Sequence, residues 1–335
     1  MTRIAIIGLG LIGGSLGLAL KRAAIDGLEI AGHDAEYGVN GRARKLGAID
    51  TEARHPAEAV EGAALVVIAT PILQVKPVLE QIAPELGEGA VVTDTASTKR
   101  DVLRWAEELL PEHVHFVGGH PVAGKETSGI DAAEASLFEQ RAWAIVPSVR
   151  ASEQAIRAVE SMVTLAGAQP MFLDAAEHDS YLAAVSHLPL VVATALFALA
   201  SRSNAWPELA ALAGPGFRDT TRLASTSPDL SHDICLTNRE NLLHWLDRFG
   251  EELRRLRALV ADGATDEELV RAFAQAQTAR DAFLRAPPQR ETGAPVDTLS
   301  SGERMMSFLV GEYVVRRTKE VQELVDRNRG EGKRS

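Results

Sequence analysis

The stretch Ile4-Ala-Ile-Ile-Gly8-Leu-Gly10-Leu-Ile-Gly13 decides the fold of this chain. It places the pattern G-x-G-x-x-G directly after a short apolar strand and at the start of a helix. Gly8 permits a tight turn, Gly10 lets the backbone approach a pyrophosphate, and Gly13 allows the helix to pack closely on the strand. The free N–H groups of the first helical turn, which includes Leu11 and Ile12, favour the negative charge of a pyrophosphate. The pattern therefore predicts a dinucleotide-binding site.

An acidic residue, Asp34, follows the second predicted strand and lies 21 residues after Gly13. A carboxylate at this place accepts hydrogen bonds from both ribose hydroxyls and repels a 2′-phosphate. Asp34 therefore favours NAD as the cofactor, while His33 and Arg42 leave NADP open. The alternative is that Asp34 serves only as a turn residue or as a helix cap.

The first half of the chain alternates short apolar runs with helical patterns. Wholly apolar strands separated by helices predict a parallel sheet that is covered on both faces. We expect an α/β fold in which residues 1–150 form a Rossmann-like NAD-binding domain. The predicted strands are 4–7, 28–31, 65–69, 90–92, 115–117 and 142–146.

From Ser152 onwards the sequence predicts helices only. Residues 151–290 are expected to form an all-helical domain for substrate binding and dimerisation, with the active site in the cleft between the two domains. Pro189 should interrupt the second helix, because proline removes a backbone donor. The pair Pro287–Pro288 ends this region, and residues 291–335 are expected to form a helical tail. The predicted helices are 152–166, 175–201, 206–212, 230–261 and 266–284.

Charge and composition exclude several classes of protein. A net charge of −11 argues against a nucleic-acid binder, which needs a basic face. The single cysteine, Cys235, excludes an intrachain disulfide and a cysteine-based metal cluster. The segment 182–200 approaches membrane length, but His187 and Pro189 interrupt it, so we interpret it as the core of a homodimer rather than a membrane span. These features predict a cytoplasmic protein that binds neither membrane nor nucleic acid.

Polar residues follow three of the predicted strands, at the edge where ligands bind in an open parallel sheet. Thr70 follows one strand, Ser97 lies beyond the next, and His120 follows two glycines after the third. We place His120 on a loop, where a histidine that is largely neutral at pH 7 can accept a proton from a hydroxyl being oxidised. Ser97 has two possible roles, as a site residue or as the N-cap of the following helix.

Several longer motifs occur in order along the chain. They are Gly8-Leu-Gly10-Leu-Ile-Gly13-Gly-Ser15, Asp94-x-x-Ser97-x-Lys99, Gly118-Gly-His-Pro-Val-Ala-Gly-Lys-Glu126-x-Ser128-Gly129, Ser186-His187-Leu-Pro189 and Gly216-Phe-Arg218-Asp-Thr-Thr-Arg222. In this order they resemble the prephenate and arogenate dehydrogenase family over residues 1 to about 285. The resemblance implies NAD-dependent oxidative decarboxylation on the route to tyrosine, in a homodimer that takes a small dianionic substrate.

The resemblance also implies roles for single residues. His120 is similar to the histidine that takes up the proton of the ring hydroxyl, and Ser97 to the serine that positions this hydroxyl. His187 resembles a second histidine of the active site, with a helix histidine bonded near the Pro189 break as the alternative. Arg222 resembles the arginine that binds a substrate carboxylate, and Glu126 is expected at the same pocket as a partner for an arginine. We expect no ACT domain in the tail.

Other functions remain as alternatives. Arogenate in place of prephenate is one, because the two substrates differ only in a keto or amino group on the side chain. A β-hydroxyacid dehydrogenase would need a catalytic lysine in the helical half, and residues 151–290 contain no lysine. A protein that senses NAD(H) without chemistry would not need His120, Ser97 and Arg222 together.

Overall fold

The computed structural model describes residues 2–125, 127–261 and 266–286. Within them the chain alternates strands and helices up to Phe172 and is helical beyond it. The strands are β1 (Thr2–Ile7), β2 (Leu28–His33), β3 (Thr51–Glu52), β4 (Ala63–Ile68), β5 (Val91–Asp94), β6 (His115–Pro121), β7 (Ala142–Pro147) and β8 (Gln169–Phe172). The helices are α1 (Leu11–Arg22), α2 (Val39–Lys45), α3 (Pro56–Val60), α4 (Ile72–Ile82), α5 (Arg100–Leu109), α6 (Glu153–Leu165), α7 (Ala175–Leu182), α8 (Leu188–Ser201), α9 (Trp206–Leu212), α10 (Pro215–Thr221), α11 (Pro228–Thr237), α12 (Arg239–Ala261) and α13 (Asp266–Arg285).

The eight strands form one sheet in the order β3-β2-β1-β4-β5-β6-β7-β8. The chain runs outward from β1 to β3 and then returns to β4 on the other side of β1, so the strand order reverses between β1 and β4. In a doubly wound sheet the crevice at such a reversal, beyond the carboxyl ends of the strands, is the place for a ligand. The glycine loop after β1 and Thr70 after β4 both lie at this point.

The sheet is buried on both faces, as its apolar strands predicted. Ile4 and Ile6 belong to one apolar cluster, while Ala5 and Ile7 belong to another on the opposite face. This alternation follows from the two-residue period of a strand. Helix α6 covers one face, and Ser152, where this helix was predicted to begin, is its N-cap and accepts a hydrogen bond from the Ala155 N–H over 3.2 Å.

The sheet differs from the predicted one in three respects, of which the first is the unpredicted two-residue strand β3. The prediction of helices only beyond Ser152 is wrong, because β8 continues the sheet past residue 150. This strand is short and largely exposed, so it lacks the buried apolar pattern that identifies the others. In addition, β7 runs antiparallel to β6. The connection over residues 122–141 contains no α-helix among its described residues, and without a crossover helix a strand returns beside its neighbour in the opposite direction.

The long apolar helix predicted from 175 to 201 is present and contains a π turn at Ala183–His187. Pro189 lies two residues after the end of this turn. Proline lacks a backbone N–H, and the loss of this donor is a known cause of an irregular turn in a helix. By length and composition alone, Ala175–Ser201 is apolar and long enough to span a membrane. Its first half, however, carries the buried polar residues His178, Asp179 and His187 into the protein interior.

The predicted helix 230–261 is wrong as a single element. Helix α11 ends at Thr237, and Asn238 adopts a non-helical conformation before α12 begins. The side chain of Asn238 is used in the site instead. The chain divides into two compact units, one that includes the described residues up to Arg239 and one from Glu240 that includes α12 and α13. The predicted tail, 291–335, lies outside the described residues.

Candidate active site

The glycine loop has the geometry that its sequence predicted. Gly8 has a φ of 94°, and a Cβ there would lie 2.4 Å from the carbonyl oxygen of Ala69. A Cβ on Gly13 would lie 1.9 Å from the oxygen of Gly8, whereas a Cβ on Gly10 would meet no atom within 4 Å. Two of the glycines are thus required by the turn and the packing. The third leaves open space above the backbone.

This open space fits a dinucleotide. Helix α1 starts after Gly10 without a side-chain cap, so no side chain of residues 2–125, 127–261 or 266–286 occupies the N–H groups of Leu11, Ile12 and Gly13 at its N-terminus. The Thr70 hydroxyl beyond β4 is buried and has no hydrogen-bond partner among the residues that the structure describes. Buried polar groups are nearly always paired, so an unpaired one at this crevice indicates a missing ligand.

Asp34 lies beside the glycine loop. One carboxylate oxygen accepts a hydrogen bond from the Leu9 N–H over 2.7 Å, and the other accepts one from the Glu36 N–H over 2.8 Å. Asp34 therefore does shape a turn, and it also fixes a carboxylate next to the loop.

His33 and Arg42, the two basic residues that left NADP as a possible cofactor, both interact with other groups of the protein. His33 is buried, with Nδ1 3.0 Å from the Ala53 carbonyl oxygen. The Arg42 guanidinium lies between the carboxylates of Glu36, at 3.6 Å, and Asp131, at 3.8 Å. The surroundings of Asp34 are consequently acidic, which disfavours a 2′-phosphate.

Asp34→Ser is expected to raise the KM for NAD⁺, while the KM for NADP⁺ falls or holds, because the ribose acceptor and its negative charge are removed. Steady-state rates with both cofactors measure this change. Glu36→Ser is the matched control, since it removes a carboxylate from the same turn without removing the bond to Leu9. Unchanged kinetics with both cofactors in Asp34→Ser would restrict Asp34 to its role in the turn.

A buried ion pair joins the ends of β5 and β6. The Lys99 ammonium contacts the carboxylate of Asp94 and donates to the Gly119 carbonyl oxygen over 2.7 Å, and both charged side chains are fully buried. Asp94 also accepts from the Gly119 N–H at 3.1 Å. Burial lowers the pKa of Lys99, and the adjacent carboxylate of Asp94 opposes that shift.

The Asp94–Lys99 ion pair keeps β5 and β6 in contact beyond the point where their backbone hydrogen bonds end. The two strands are paired only at Val91 with His115 and at Val92 with Phe116. Gly119 fits because a Cβ there would lie 2.5 Å from the Asp94 carbonyl oxygen. The ion pair therefore sets the position of the residue that follows Gly119, which is His120.

His120 belongs to β6 and not to a loop as predicted, because antiparallel pairing with β7 extends the strand to Pro121. The side chain is buried, and its Nδ1 lies 2.9 Å from Nε2 of His178. Burial, and then the nearby His178, Lys99 and His187, hold the pKa of His120 well below 6.5. The imidazole is thus neutral at physiological pH and has the protonation state that a general base needs.

Two residues that the sequence analysis missed stand behind His120. His178 Nδ1 lies 2.8 Å from the carboxylate of Asp179. Asp179 in turn accepts from the N–H groups of Lys99, at 2.8 Å, and Arg100, at 3.0 Å. Asp179 therefore caps α5 from α7. The alternative role of Ser97 as the N-cap of this helix is wrong, because α5 begins after Lys99 without a cap from Ser97. The available signal was the adjacent pair His178-Asp179 shortly before the largely apolar segment 188–200.

His187 lies in the π turn and is also buried. Its Nδ1 is 3.1 Å from the Asn238 amide nitrogen, which donates because an amide nitrogen carries only hydrogens. Burial lowers the pKa of His187 to about 4, so the ring is neutral with its hydrogen on Nε2. Nε2 is buried and has no partner within the described part of the chain. This free donor favours a ligand contact over the purely structural alternative.

The remaining predicted site residues are placed as follows. Ser97 lies partly buried between β5 and α5. Arg222 is exposed and opens the 3-10 turn Arg222–Ser225, which packs against α8, and Arg218 is exposed one turn earlier in α10. Glu126 lies outside the described residues, so its predicted role stays a prediction.

A dinucleotide crevice and a buried, neutral histidine at the same edge of one sheet are typical of a nicotinamide-dependent dehydrogenase. The family models of prephenate dehydrogenase match residues 16–171 with the nucleotide-binding domain and residues 174–275 with the dimerization domain. The chain belongs to the prephenate dehydrogenase family.

Single relatives agree with the family models. The chain is 36% identical to a prephenate dehydrogenase of Bacillus subtilis, over 87% of this chain and 77% of that protein. The crystal structure of prephenate dehydrogenase from Aquifex aeolicus with hydroxyphenyl propionate and NAD⁺ has a TM-score of 0.78 and 30% identity, covering 84% and 98% of the two chains. The Synechocystis arogenate dehydrogenase structure has a TM-score of 0.72 and 29% identity, covering 84% and 100%.

Proposed function

We propose that the protein is an NAD-dependent prephenate dehydrogenase, which converts prephenate into 4-hydroxyphenylpyruvate and CO₂ in tyrosine biosynthesis. The single observation that carries the proposal is the buried, neutral His120 at the carboxyl edge of the sheet that binds the dinucleotide. Arogenate is the alternative substrate, supported by the similarity to the Synechocystis arogenate dehydrogenase.

The reaction needs a base that takes up a proton from the substrate and later returns it. NAD⁺, when bound, supplies the acceptor for the hydride that leaves C4 of the ring. His120 takes the proton of the 4-hydroxyl at the same time, so that a carbonyl forms at C4. Loss of CO₂ then moves its electron pair into the ring, and the phenolate oxygen takes the proton back from His120. No net proton is released, since the one hydrogen removed leaves as hydride.

The other site residues bind and orient the substrate. Ser97 positions the 4-hydroxyl against His120, and Nε2–H of His187 donates a hydrogen bond to the substrate. The guanidinium of Arg222 binds a carboxylate through its planar pair of donors. The Asp94–Lys99 pair holds the strand that carries His120.

Initial rates with prephenate and L-arogenate, each with NAD⁺ and NADP⁺, test the proposal. We expect NADH formation with prephenate and NAD⁺ to be the fastest of the four reactions. A higher kcat/KM for arogenate would identify the alternative substrate. Binding of NAD(H) without turnover of either substrate would favour a sensor and contradict the proposal.

Arg222→Ala is expected to raise the KM for prephenate by about 10–150-fold, because losing a charge-assisted contact costs on the order of 1.5–3 kcal/mol. The dissociation constant of NAD⁺ should stay near that of the wild type. Arg218→Ala is the matched control, since it removes a guanidinium from the preceding turn. If that control raised the KM and Arg222→Ala did not, the carboxylate would belong to Arg218.

We also propose that the protein is a cytoplasmic homodimer, joined through the helical part of the chain. The match to a dimerization domain over residues 174–275 supports this assembly. So does the apolar helix α8, in which Leu199 is 77% exposed and Phe197 41%. A cytoplasmic location is supported by the buried His178, Asp179 and His187 in the helical segment Ala175–Ser201, because ionisable residues are rare in membrane-spanning helices.

A further inference from the structure

A chain of hydrogen bonds leads from α5 to His120. The carboxylate of Asp179 accepts from two backbone N–H groups and contacts His178, and His178 contacts His120. The three side chains Asp179, His178 and His120 are all buried, so each hydrogen bond must be satisfied inside the protein.

The positions of the hydrogens follow from this arrangement. An ionised carboxylate only accepts, so the bond of 2.8 Å to Asp179 requires the hydrogen of His178 on Nδ1. A neutral His178 then has a lone pair on Nε2. The bond of 2.9 Å between this atom and Nδ1 of His120 consequently requires the hydrogen of His120 on Nδ1. The lone pair of His120 is therefore on Nε2, where a base needs it.

We propose that His178 is a positioning residue that fixes this tautomer of His120 and holds the borrowed proton during the reaction. The proposal rests on the proposed dehydrogenase activity. Breaking of the substrate O–H bond forms an N–H bond at Nε2 of His120, and the N–H bond at Nδ1 breaks as one forms at Nε2 of His178. Two electrons leave the substrate as the hydride. The proton returns along the same path when the ring becomes aromatic.

The charges around the two histidines favour His178 as the place for the proton. His120 faces His178, His187 and Lys99, and all three disfavour a positive charge on it. Burial is the largest influence on His178 and lowers its pKa as well, and Lys99 acts in the same direction. The carboxylates of Asp179 and Asp94, however, oppose this shift, and no such opposition acts at His120. An imidazolium at His178 would form an ion pair with Asp179, whereas one at His120 would have no carboxylate bonded to it among the residues that the structure describes.

Nuclear magnetic resonance of the ¹⁵N-histidine-labelled protein tests the tautomers without substrate. We expect both His120 and His178 to carry hydrogen on Nδ1 at pH 7.5. In His178→Gln the amide oxygen can still accept from His120, so the hydrogen should stay on Nδ1. In His178→Asn the shorter amide keeps its bond to Asp179 but does not reach His120, whose hydrogen should move to Nε2. His232→Gln, in another His-Asp pair on a helix, is the matched control and should leave the His120 signals unchanged.

Kinetics test the proton-holding role in the same variants. The amide of His178→Gln cannot accept a proton, so kcat should fall about 10-fold or more, while the KM for prephenate and the melting temperature change little. In His178→Asn we expect a fall of roughly 10²-fold or more, because the tautomer is lost as well.

Two results would overturn the inference. One is a hydrogen on Nε2 of His120 in the wild type, and the other is a folded His178→Gln variant with at least half of the wild-type kcat. If neither prephenate nor arogenate is oxidised by the wild type, the proposed function fails instead. The tautomer measurement still decides the arrangement of Asp179, His178 and His120 in that case.

Discussion

His120→Asn is expected to lower kcat by roughly 10²–10⁴-fold, which is the contribution of a positioned general base. Asparagine keeps a polar group of similar size but cannot accept the proton of the substrate hydroxyl. NAD⁺ binding and thermal stability should change little, because His120 lies outside the glycine loop and its ring makes a hydrogen bond that an amide can partly replace. Steady-state kinetics, cofactor titration and calorimetry on one preparation measure all three quantities.

The pH profile gives a second test of the same residue. The pKa of His120 is held well below 6.5, so kcat/KM of the wild type should stay flat as the pH falls through 6.5 and decline only below it, when His120 is protonated. Residual activity of His120→Asn should lack this decline. A stable variant with more than about a tenth of the wild-type kcat would contradict the assignment, because proton transfer contributes at least about 10²-fold where it operates.

Lys99→Met is expected to destabilise the protein by about 3–5 kcal/mol, because it leaves the buried carboxylate of Asp94 without its counter-ion. Methionine has a similar length and is easily accommodated in a core, so the effect is one of charge and not of volume. For a chain of this size the melting temperature should fall by roughly 6–20 °C. The position of Gly119 also depends on Lys99, so kcat should fall as well.

Lys21→Met is the matched control for this prediction. Lys21 forms an ion pair with Asp50 over 2.7 Å, but both side chains are 36% exposed. Exposed pairs contribute about 1 kcal/mol or less, so the melting temperature should change by a few degrees at most. Equal decreases of the melting temperature in Lys99→Met and Lys21→Met would contradict the prediction, because they would show that burial does not make the loss of the Asp94–Lys99 pair more destabilising.

Local sequence was sufficient for the nucleotide-binding part of the fold. The apolar runs predicted six of the eight strands, because a strand buried on both faces must be apolar at every position. The glycine loop was equally predictable, since Gly8 and Gly13 meet local steric demands of the turn and Gly10 leaves space for a ligand above the backbone. Strand β8 was missed because it is short and exposed, and β3 because two residues are too few to form a pattern.

The sequence by itself determined the family, the cofactor class and the histidine that we propose as the base, because these depend on residues close together in motifs. Only the tertiary structure revealed the surroundings that suit His120 to this proposed role. His178 lies 58 positions after His120 and reaches it from helix α7, where Asp179 holds His178, and Asn238 reaches His187 from 51 positions away. Long-range hydrogen bonds of this kind leave no periodic pattern in the sequence. They depend on burial, which obliges every polar group to find its partner wherever the fold brings one within reach.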